Sequence, residues 1–531
     1  MWSTTIRLLT LVEQGSPTFP DAGCGSMASR RSDREASEAL RDEITPKSGE
    51  AEDPWGFAAA RPKRSDSPAS APEDATDPFA SFAPRPTVSA PPDTAESDDV
   101  DEGAMAGLRK RALPLALALA AVFIIGCISE VVAASQFVHL LGPRGLIIIY
   151  PLGGLGLVAV ALIQMKWIDR VRRDKALVAV SLVYALAFII GLSLMASPVT
   201  NVVGTGFVCL LADQLNFLLP LIVWAIVGDL FNAGEGRKIY PWITNWRYGA
   251  QMIGLAVPSL APFLLVPLGV PLTWLLIVCP VGLLAIAYFV PRSLRGRNIG
   301  KGSGQTESTL ASVRSAWNVV GGVKAFKAMF ITSTLAYIAG MSLEGSFLTS
   351  ADAKLTSEAQ LQVLYGMTLT AVFVICWVLQ RYVVTSLMER LDIPGSLAVM
   401  PIAVVVGAAI LIVGLGFGIL PIVVVGIVAW RVPWWSIDDV ARRAALALVP
   451  DERRTRVSYI LDLVPFAIGL IVAGGVIAIA TALHMPILAP ILAVPIGVAA
   501  VASARTMIRT WPDALLSHHL KRRKRLGGMN N

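Results

Sequence analysis

The stretch VGTGFVCLLADQLNFLLPLIVWAIVGDLFNAGEGRKIY, residues 203–240, decides the fold class of this chain. Its first part, 203–227, is mostly apolar, and a helix needs about 20 such residues to cross a bilayer. The last part, GDLFNAGEGRKIY, carries two acids and then two cations. Because basic loops gather on the cytoplasmic side of membrane proteins, the stretch predicts a membrane-spanning helix that ends at the cytoplasm.

The composition of the whole chain agrees with this interpretation. Hydrophobic residues make up 54% of the 531 residues, charged residues 16%, and the mean hydropathy is +0.62. A soluble domain has about 25% charged residues, so the chain is expected to be a membrane protein. The candidate spans are 112–138, 145–165, 176–196, 203–227, 244–266, 270–290, 326–349, 360–386, 396–416, 419–437, 460–482 and 485–507. The predicted fold class is all-α, a polytopic membrane protein with twelve transmembrane helices.

The loops between these spans alternate in charge. One set of loops is basic and includes 166–175, 234–240, 291–302 and 441–456, together with the tail 521–525. The other, alternating set holds only two cations, Arg144 and Lys354. The positive-inside rule predicts that the basic set and both termini are cytoplasmic. We expect a cell (inner) membrane protein whose net charge of +7 reflects topology, with the lipid bilayer and no nucleic acid as partner.

The longest cytoplasmic loop, 291–325, divides the chain into two halves of six spans, 109–290 and 326–507. Segment 1–108 is rich in Ala, Ser, Pro, Asp and Glu, so we expect it to be a disordered cytoplasmic tail. Segment 508–531 is expected to be a basic cytoplasmic tail. Two six-helix halves are the architecture of major facilitator transporters.

The two halves also share a short pattern. GCISE (126–130) lies in the first span and GMSLE (340–344) in the seventh, each with a Gly four residues before a Glu. Gly is common in membrane helices, so chance is an alternative explanation. The loop KWIDRVRRDK resembles the cytoplasmic motif of the major facilitator superfamily, with Asp169 and Arg170 before more cations. The resemblance implies a charge latch at a helix end; an ordinary positive-inside loop is the alternative.

Two loops resemble those of the non-mitochondrial ATP/ADP translocase family of nucleotide transporters. The first match comprises Trp224, Asn232, Glu235, Arg237, Lys238, Tyr240, Pro241, Gly249 and Gly254. The second, in VPDERRTRVSYILD (449–462), comprises Pro450, Glu452, Arg454, Arg456 and Asp462. The family carries a basic cluster near the end of its first span, but this chain has ISEVVAASQF there, with Glu130 as its only charge. The resemblance therefore implies the major facilitator fold and this branch of the superfamily, but it does not imply ATP/ADP exchange as such.

Charged residues at the cytoplasmic helix ends are expected to form a gate. The predicted gate residues are Asp169, Arg170, Asp229, Glu235, Arg237, Lys238, Glu452 and Arg454.

Ionisable groups inside spans cost about 2.5–3.5 kcal/mol each on insertion scales, so each is a candidate functional residue. The predicted substrate-binding residues are Arg431, Asp213, Trp430, Gln214 and Asn216. The predicted proton-coupling residues are Glu130, Glu344 and Asp213, since burial makes the neutral form of a carboxyl group accessible. The alternative is that Asp213 and Arg431 pair with buried partners and lock the helix bundle.

The sequence favours a secondary active transporter that moves a small organic solute by alternating access, with an anionic or nucleotide-like solute and a coupling ion as options. We expect a monomer. The alternative is a non-transporting membrane sensor or scaffold with the same fold. An enzyme is not expected, because no cluster of His, Asp or Cys lies at one membrane face. The five cysteines and four histidines show no metal-ligand spacing, so neither a metal nor a cofactor is expected.

Overall fold

The computed structural model describes residues 95–168, 171–231, 233–297, 309–446, 448–449 and 456–527. Twelve helices among these residues are long and apolar enough to span a membrane, so the predicted fold class is confirmed. Spans 1 to 12 are Met105–Leu141, Pro143–Gln164, Arg173–Met195, Asn201–Leu230, Trp242–Leu265, Leu272–Ser293, Lys324–Asp352, Glu358–Tyr382, Val384–Gly416, Leu420–Leu446, Arg456–Ala482 and Leu488–Leu516.

Several spans belong to longer helices. Span 1 is the apolar part of Ala95–Leu141, span 5 of Ala233–Leu265 and span 12 of Leu488–Gly527. The first of these begins within the segment 1–108, for which a disordered tail was predicted, and residues 1–94 lie outside the described part of the chain. Span 2 is part of the helix Pro143–Ile168.

One helix was not predicted, Thr309–Gly322, inside the central loop. Ala316, Val319 and Val320 are buried and Trp317 is half exposed. The Trp317 ring makes an edge-to-face contact with Phe330 of span 7 at 5.1 Å. Spans are identified by long, continuous apolar runs. This helix is short and only partly apolar, so that criterion does not predict it.

Spans 9, 10 and 11 are locally irregular. Span 9 bends at Asp392, whose φ of 55° lies in the left-handed region. In span 10, Leu420–Pro433 continues through a π-helical turn, Trp434–Asp438, and span 11 contains a similar turn, Tyr459–Leu463. Proline removes a helical hydrogen bond and crowds the preceding turn, and Pro433 directly precedes the first of these turns.

The two halves meet along pairs of spans. Span 2 packs along span 11, and span 5 packs along span 8. Spans 1 and 7 are the most buried of the twelve, and they lie at the centre of the bundle. Both spans pack mainly against helices of their own half, and some of their side chains lie at the interface between the halves.

Candidate functional site

A cavity of about 90 Å³ lies between the two halves, and we call it the inner chamber. Its charged lining residues are Glu130 of span 1, Asp213 of span 4, Glu344 of span 7 and Arg431 of span 10. The structure thus brings together four side chains that were singled out because charge inside a membrane is costly.

Tyr365 of span 8 connects two of the acids across the halves. Its hydroxyl lies 3.0 Å from Glu344 Oε1 and 3.3 Å from Glu130 Oε1, where it can donate a hydrogen bond to either. Asn216 Nδ2 donates to the other oxygen of Glu130 at 3.1 Å. A single hydroxyl therefore lies between carboxyl groups from equivalent helices of the two halves.

Arg431 forms a buried ion pair with Glu344, within the second half. Both side chains are about 5% exposed, at 6% and 5%. The guanidinium carbon also lies 5.7 Å from the ring centres of Trp430 and Trp434, a distance at which cation–π attraction operates. The positive charge of Arg431 is thus already balanced by a protein carboxylate.

The Gly-x-x-x-Glu pattern has a structural basis in both halves. A Cβ atom on Gly126 would lie 1.9 Å from Asn216 Oδ1, and one on Gly340 would lie 2.7 Å from the Trp430 ring. Asn216 is as far along the chain from Gly126 as Trp430 is from Gly340. The two glycines therefore make room for residues at matching positions of spans 4 and 10, which favours an internal repeat over chance.

A second cavity, of about 260 Å³, adjoins the inner chamber. Both cavities are lined by Phe123, Phe217, Trp434 and Trp435, so this aromatic layer lies between them. The charged residues of the second cavity are Arg247, Asp438, Asp439, Arg442, Arg443 and Asp462. It lies toward the ends of spans 4, 5, 10 and 11 that adjoin the basic loops. We call that side of the bundle the basic face and the other side the opposite face.

Direct contacts join the halves at the basic face. Arg247 donates to Asp439 Oδ2 at 2.8 Å, and the Tyr248 hydroxyl donates to the Trp435 carbonyl at 3.3 Å. The guanidinium of Arg247 lies 4.8 Å from the Phe123 ring centre and 5.5 Å from that of Trp435. Halves that separate on this side must break these contacts.

Arg442 instead holds the second half together. It pairs with Asp438, donates to Ser333 and to the Leu461 carbonyl at 3.0 Å each, and lies 3.5 Å from Asp462. These partners belong to spans 7, 10 and 11.

Contacts also join the halves at the opposite face. His139 Nδ1 at the end of span 1 lies 3.1 Å from Asp352 Oδ1 at the end of span 7. Gln362 of span 8 donates to the Pro258 carbonyl of span 5 at 2.7 Å. The inner chamber therefore has inter-half contacts on both sides.

The remaining predicted binding residues lie in different surroundings. Asn216 lines the inner chamber, but the Gln214 side chain points toward Tyr184 of span 3, with 3.4 Å between their oxygens. Trp430 is fully buried and stacks on Trp434 at 5.4 Å, behind the chamber wall. Consecutive side chains of a helix point about 100° apart around its axis. A residue next to a chamber residue in the sequence therefore need not face the chamber.

The predicted gate is described only in part. Asp229 pairs with Arg173 and Glu235 with Arg111, so both contacts join helices of the first half. Asp169, Arg170, Glu452 and Arg454 lie outside the described residues, and only the backbone is described at 237–238. Sequence reasoning did not identify Tyr365 or the pair Arg247 and Asp439. The signals for this pair were a cation inside span 5, Arg247, and the adjacent acids in WWSIDDVARR, neither of which reveals its partner.

No protein-family model matches the chain, and no curated protein matches it. Solved structures do match. The nucleoside transporter NupG is 15% identical, with 76% of this chain and 99% of that chain covered and a TM-score of 0.51. A POT family transporter, in complex with a thioalcohol-conjugated peptide, is 14% identical, with 75% and 96% covered and a TM-score of 0.51. A bacterial homologue of the iron transporter ferroportin, in an outward-facing state, is 16% identical, with 76% and 99% covered and a TM-score of 0.54.

Identities this low establish the fold alone. This chain therefore has a fold of the major facilitator type, and it is a multi-pass membrane protein. The more specific likeness to nucleotide translocases rests on the two loops quoted above.

Proposed function

We propose that this chain is a secondary active transporter that moves a small organic solute through the inner chamber by alternating access. The observation that carries the proposal is the Tyr365 hydroxyl, which contacts Glu130 of one half and Glu344 of the other. In a fold of two parallel-repeat halves, substrate sites lie near the bilayer midplane between the halves.

The network offers a way to couple the movement of the halves to protons. Tyr365 and Glu344 belong to the same half, so they move together, whereas the contact of Tyr365 with Glu130 must break when the halves separate there. Glu130 would then lose one hydrogen bond to its charged form, which makes protonation easier. We propose Glu130, Glu344 and Asp213 as the proton-coupling residues.

The basic face is proposed to be cytoplasmic, in the cell (inner) membrane, because cations near span ends set orientation. The contact of Arg247 with Asp439 is then proposed as part of the cytoplasmic gate, and His139 with Asp352 as part of the outer gate. The protein is proposed to act as a monomer, since one chain contains both halves around the chamber.

The charges of the chamber do not favour the anionic solute that the loop resemblance implies. A nucleotide-like anion would bind Arg431, but Glu344 already neutralises that cation. The aromatic rings of Phe217, Phe466 and Trp434 give the chamber apolar walls. The chamber supports a solute with hydrogen-bonding groups and an apolar or ring-shaped part.

The test is uptake by the purified full-length protein in proteoliposomes, with a pH gradient. The panel should include nucleosides, nucleotides, dipeptides, organic acids and organic amines, and the liposome contents are measured by mass spectrometry. We expect at least one class to enter faster than in empty liposomes, and the change Tyr365→Phe to reduce the effect of the gradient. If no solute enters through folded protein, the proposal is wrong and a sensor or scaffold is favoured.

A further inference from the structure

The inner chamber contains more negative than positive groups. Three carboxyl groups, Glu130, Asp213 and Glu344, line it together with one guanidinium, that of Arg431. Arg431 is paired with Glu344, and Glu130 accepts hydrogen bonds from Asn216 and Tyr365. Among the described residues, Asp213 is therefore the carboxylate of the chamber that has neither an ion pair nor a hydrogen bond, whereas Glu130 has hydrogen bonds from neutral groups.

Other buried polar atoms of the chamber lack hydrogen-bond partners among the described residues. Gln251 Oε1 and Glu344 Oε2 are buried acceptors without a protein hydrogen-bond partner among the described residues, and both residues are over nine-tenths buried. Arg431 Nε and Trp435 Nε1 are buried donors of the chamber in the same situation. Because buried polar groups are usually hydrogen-bonded, a ligand of this chamber should supply hydrogen-bond donors as well as acceptors.

Space is available directly beside Asp213. Gly153 of span 2 faces it, and a Cβ atom there would lie 3.3 Å from Asp213 Oδ2. The apolar side chains of Leu210 and Leu470 lie around the same point, each 3.8 Å from that Cβ position. The rings of Phe217 and Phe466, with centres 4.4 Å apart, form a nearby part of the chamber wall.

We propose that Asp213 binds a protonated amine, so that the solute of the inner chamber is a small organic ammonium ion with an apolar or aromatic body. Its charge would pair with Asp213, its remaining N–H groups would meet buried acceptors, and its body would pack on the apolar wall. Among the described residues, no group of three or more His, Cys, Asp or Glu is placed to hold a metal ion. The role of this amine as cargo rests on the proposed transport function.

The experiment compares three probes that share one ring and differ in charge: benzylammonium, benzyl alcohol and benzoate. Binding to the purified full-length protein in nanodiscs at pH 7 is measured by saturation-transfer NMR. Binding of sodium, which has no protons, is measured separately by sodium NMR at matched ionic strength. We expect benzylammonium to bind about tenfold more tightly than benzyl alcohol, the range of a hydrogen bond to a charged group, and benzoate to bind least.

Two variants test the assignment of Asp213. Asp213→Asn keeps the size of the side chain and should abolish the preference for benzylammonium over benzyl alcohol. Gly153→Ala keeps the charge of Asp213 but narrows the space beside it, and should weaken the binding of benzylammonium several-fold. The matched control is Glu358→Gln, at the start of span 8, which should bind all three probes as the unmodified protein does.

Three outcomes would overturn the inference: stronger binding of benzoate, an unchanged benzylammonium preference in Asp213→Asn, or Asp213-dependent binding of sodium without benzylammonium. Uptake of the same probes separates this inference from the proposed function. If other solutes are transported without any preference for ammonium ions, the amine site is refuted and the proposed transport function still holds. Asp213-dependent amine binding without uptake of any solute refutes the transporter and leaves the site.

Discussion

Arg247 on span 5 donates a hydrogen bond of 2.8 Å to Asp439 on span 10, so an ion pair joins the two halves at the basic face. The Arg247 side chain is 4% exposed and lies beside the rings of Phe123 and Trp435. Asp439 also accepts hydrogen bonds from Arg443, at 3.1 Å and 3.2 Å. The ion pair is therefore asymmetric. Asp439 would keep Arg443 as a partner if Arg247 were lost, whereas Arg247 would lose the carboxylate with which it pairs.

The first prediction is that Arg247→Ala opens the basic face. Asp439 keeps Arg443 as a partner, so the fold should survive while one inter-half tie is lost. If the ion pair stabilises the closed basic face by about 1.4 kcal/mol, its loss shifts the equilibrium between the closed and open basic face tenfold. The measurement is the rate at which a small thiol reagent modifies Cys209, which lines the inner chamber, in protein with its other cysteines replaced. We expect this rate to rise severalfold, up to about tenfold.

The control for this prediction is Arg111→Ala. Arg111 pairs with Glu235 at 3.1 Å at the same face, but both residues belong to the first half. Its loss should leave the Cys209 rate nearly unchanged, since exposed pairs contribute about 0–1 kcal/mol. Equal acceleration in both variants would mean general loosening and would contradict the gate assignment.

The second prediction concerns the repeated glycines. Gly126→Ala and Gly340→Ala should each lower the melting temperature, because the new methyl group meets Asn216 or the Trp430 ring. Overpacking of this kind costs about 1–3 kcal/mol. Gly475→Ala is the matched control, since no atom lies within 4 Å of a Cβ placed there. That change should be neutral or slightly stabilising, as alanine is the better helix former. Equal melting temperatures for all three variants would rule out the close packing described here.

Much of this architecture could be predicted from the sequence because it depends on local properties. Each span is a contiguous apolar run, and orientation follows from cations beside the runs. The charged lining of the inner chamber was also predictable in identity, since Asp213 and Arg431 are costly in lipid wherever they face.

The partners of those charges could not be predicted, because they depend on which helix faces meet. The sequence allows Asp213 and Arg431 to pair with buried partners without saying which, and the partner of Arg431 is Glu344 of span 7. Tyr365 carries no charge and lies in an ordinary apolar run, so nothing in its spacing distinguished it from a packing residue. The π-helical turn Trp434–Asp438 further changes which residues of span 10 face the cavities.

The third prediction concerns orientation. Reporter domains fused after residues 170, 240, 300 and 450 should all report the cytoplasm, because the adjoining loops are basic. Fusions after residues 142 and 354, at the opposite face, should report the other compartment. A reporter signal from outside at any of the first four positions would contradict the proposed orientation.

The last prediction separates a structural lock from a ligand site within the inner chamber. Arg431→Ala leaves Glu344 buried without its cation, and Glu344→Gln leaves Arg431 buried without its anion. Breaking a buried pair from one side costs about 3–5 kcal/mol, so both single variants should melt far below the unmodified protein. The double variant Arg431→Met with Glu344→Leu should recover most of that loss, because apolar replacements of similar size remove both charges together.

Asp213→Asn, in contrast, removes a carboxylate that pairs with no described residue, and its melting temperature should change little. Melting curves of the purified variants decide the matter. Strong destabilisation by Asp213→Asn would make Asp213 part of the structural lock. Weak destabilisation by either change at the ion pair would instead leave Arg431 available to an anionic solute.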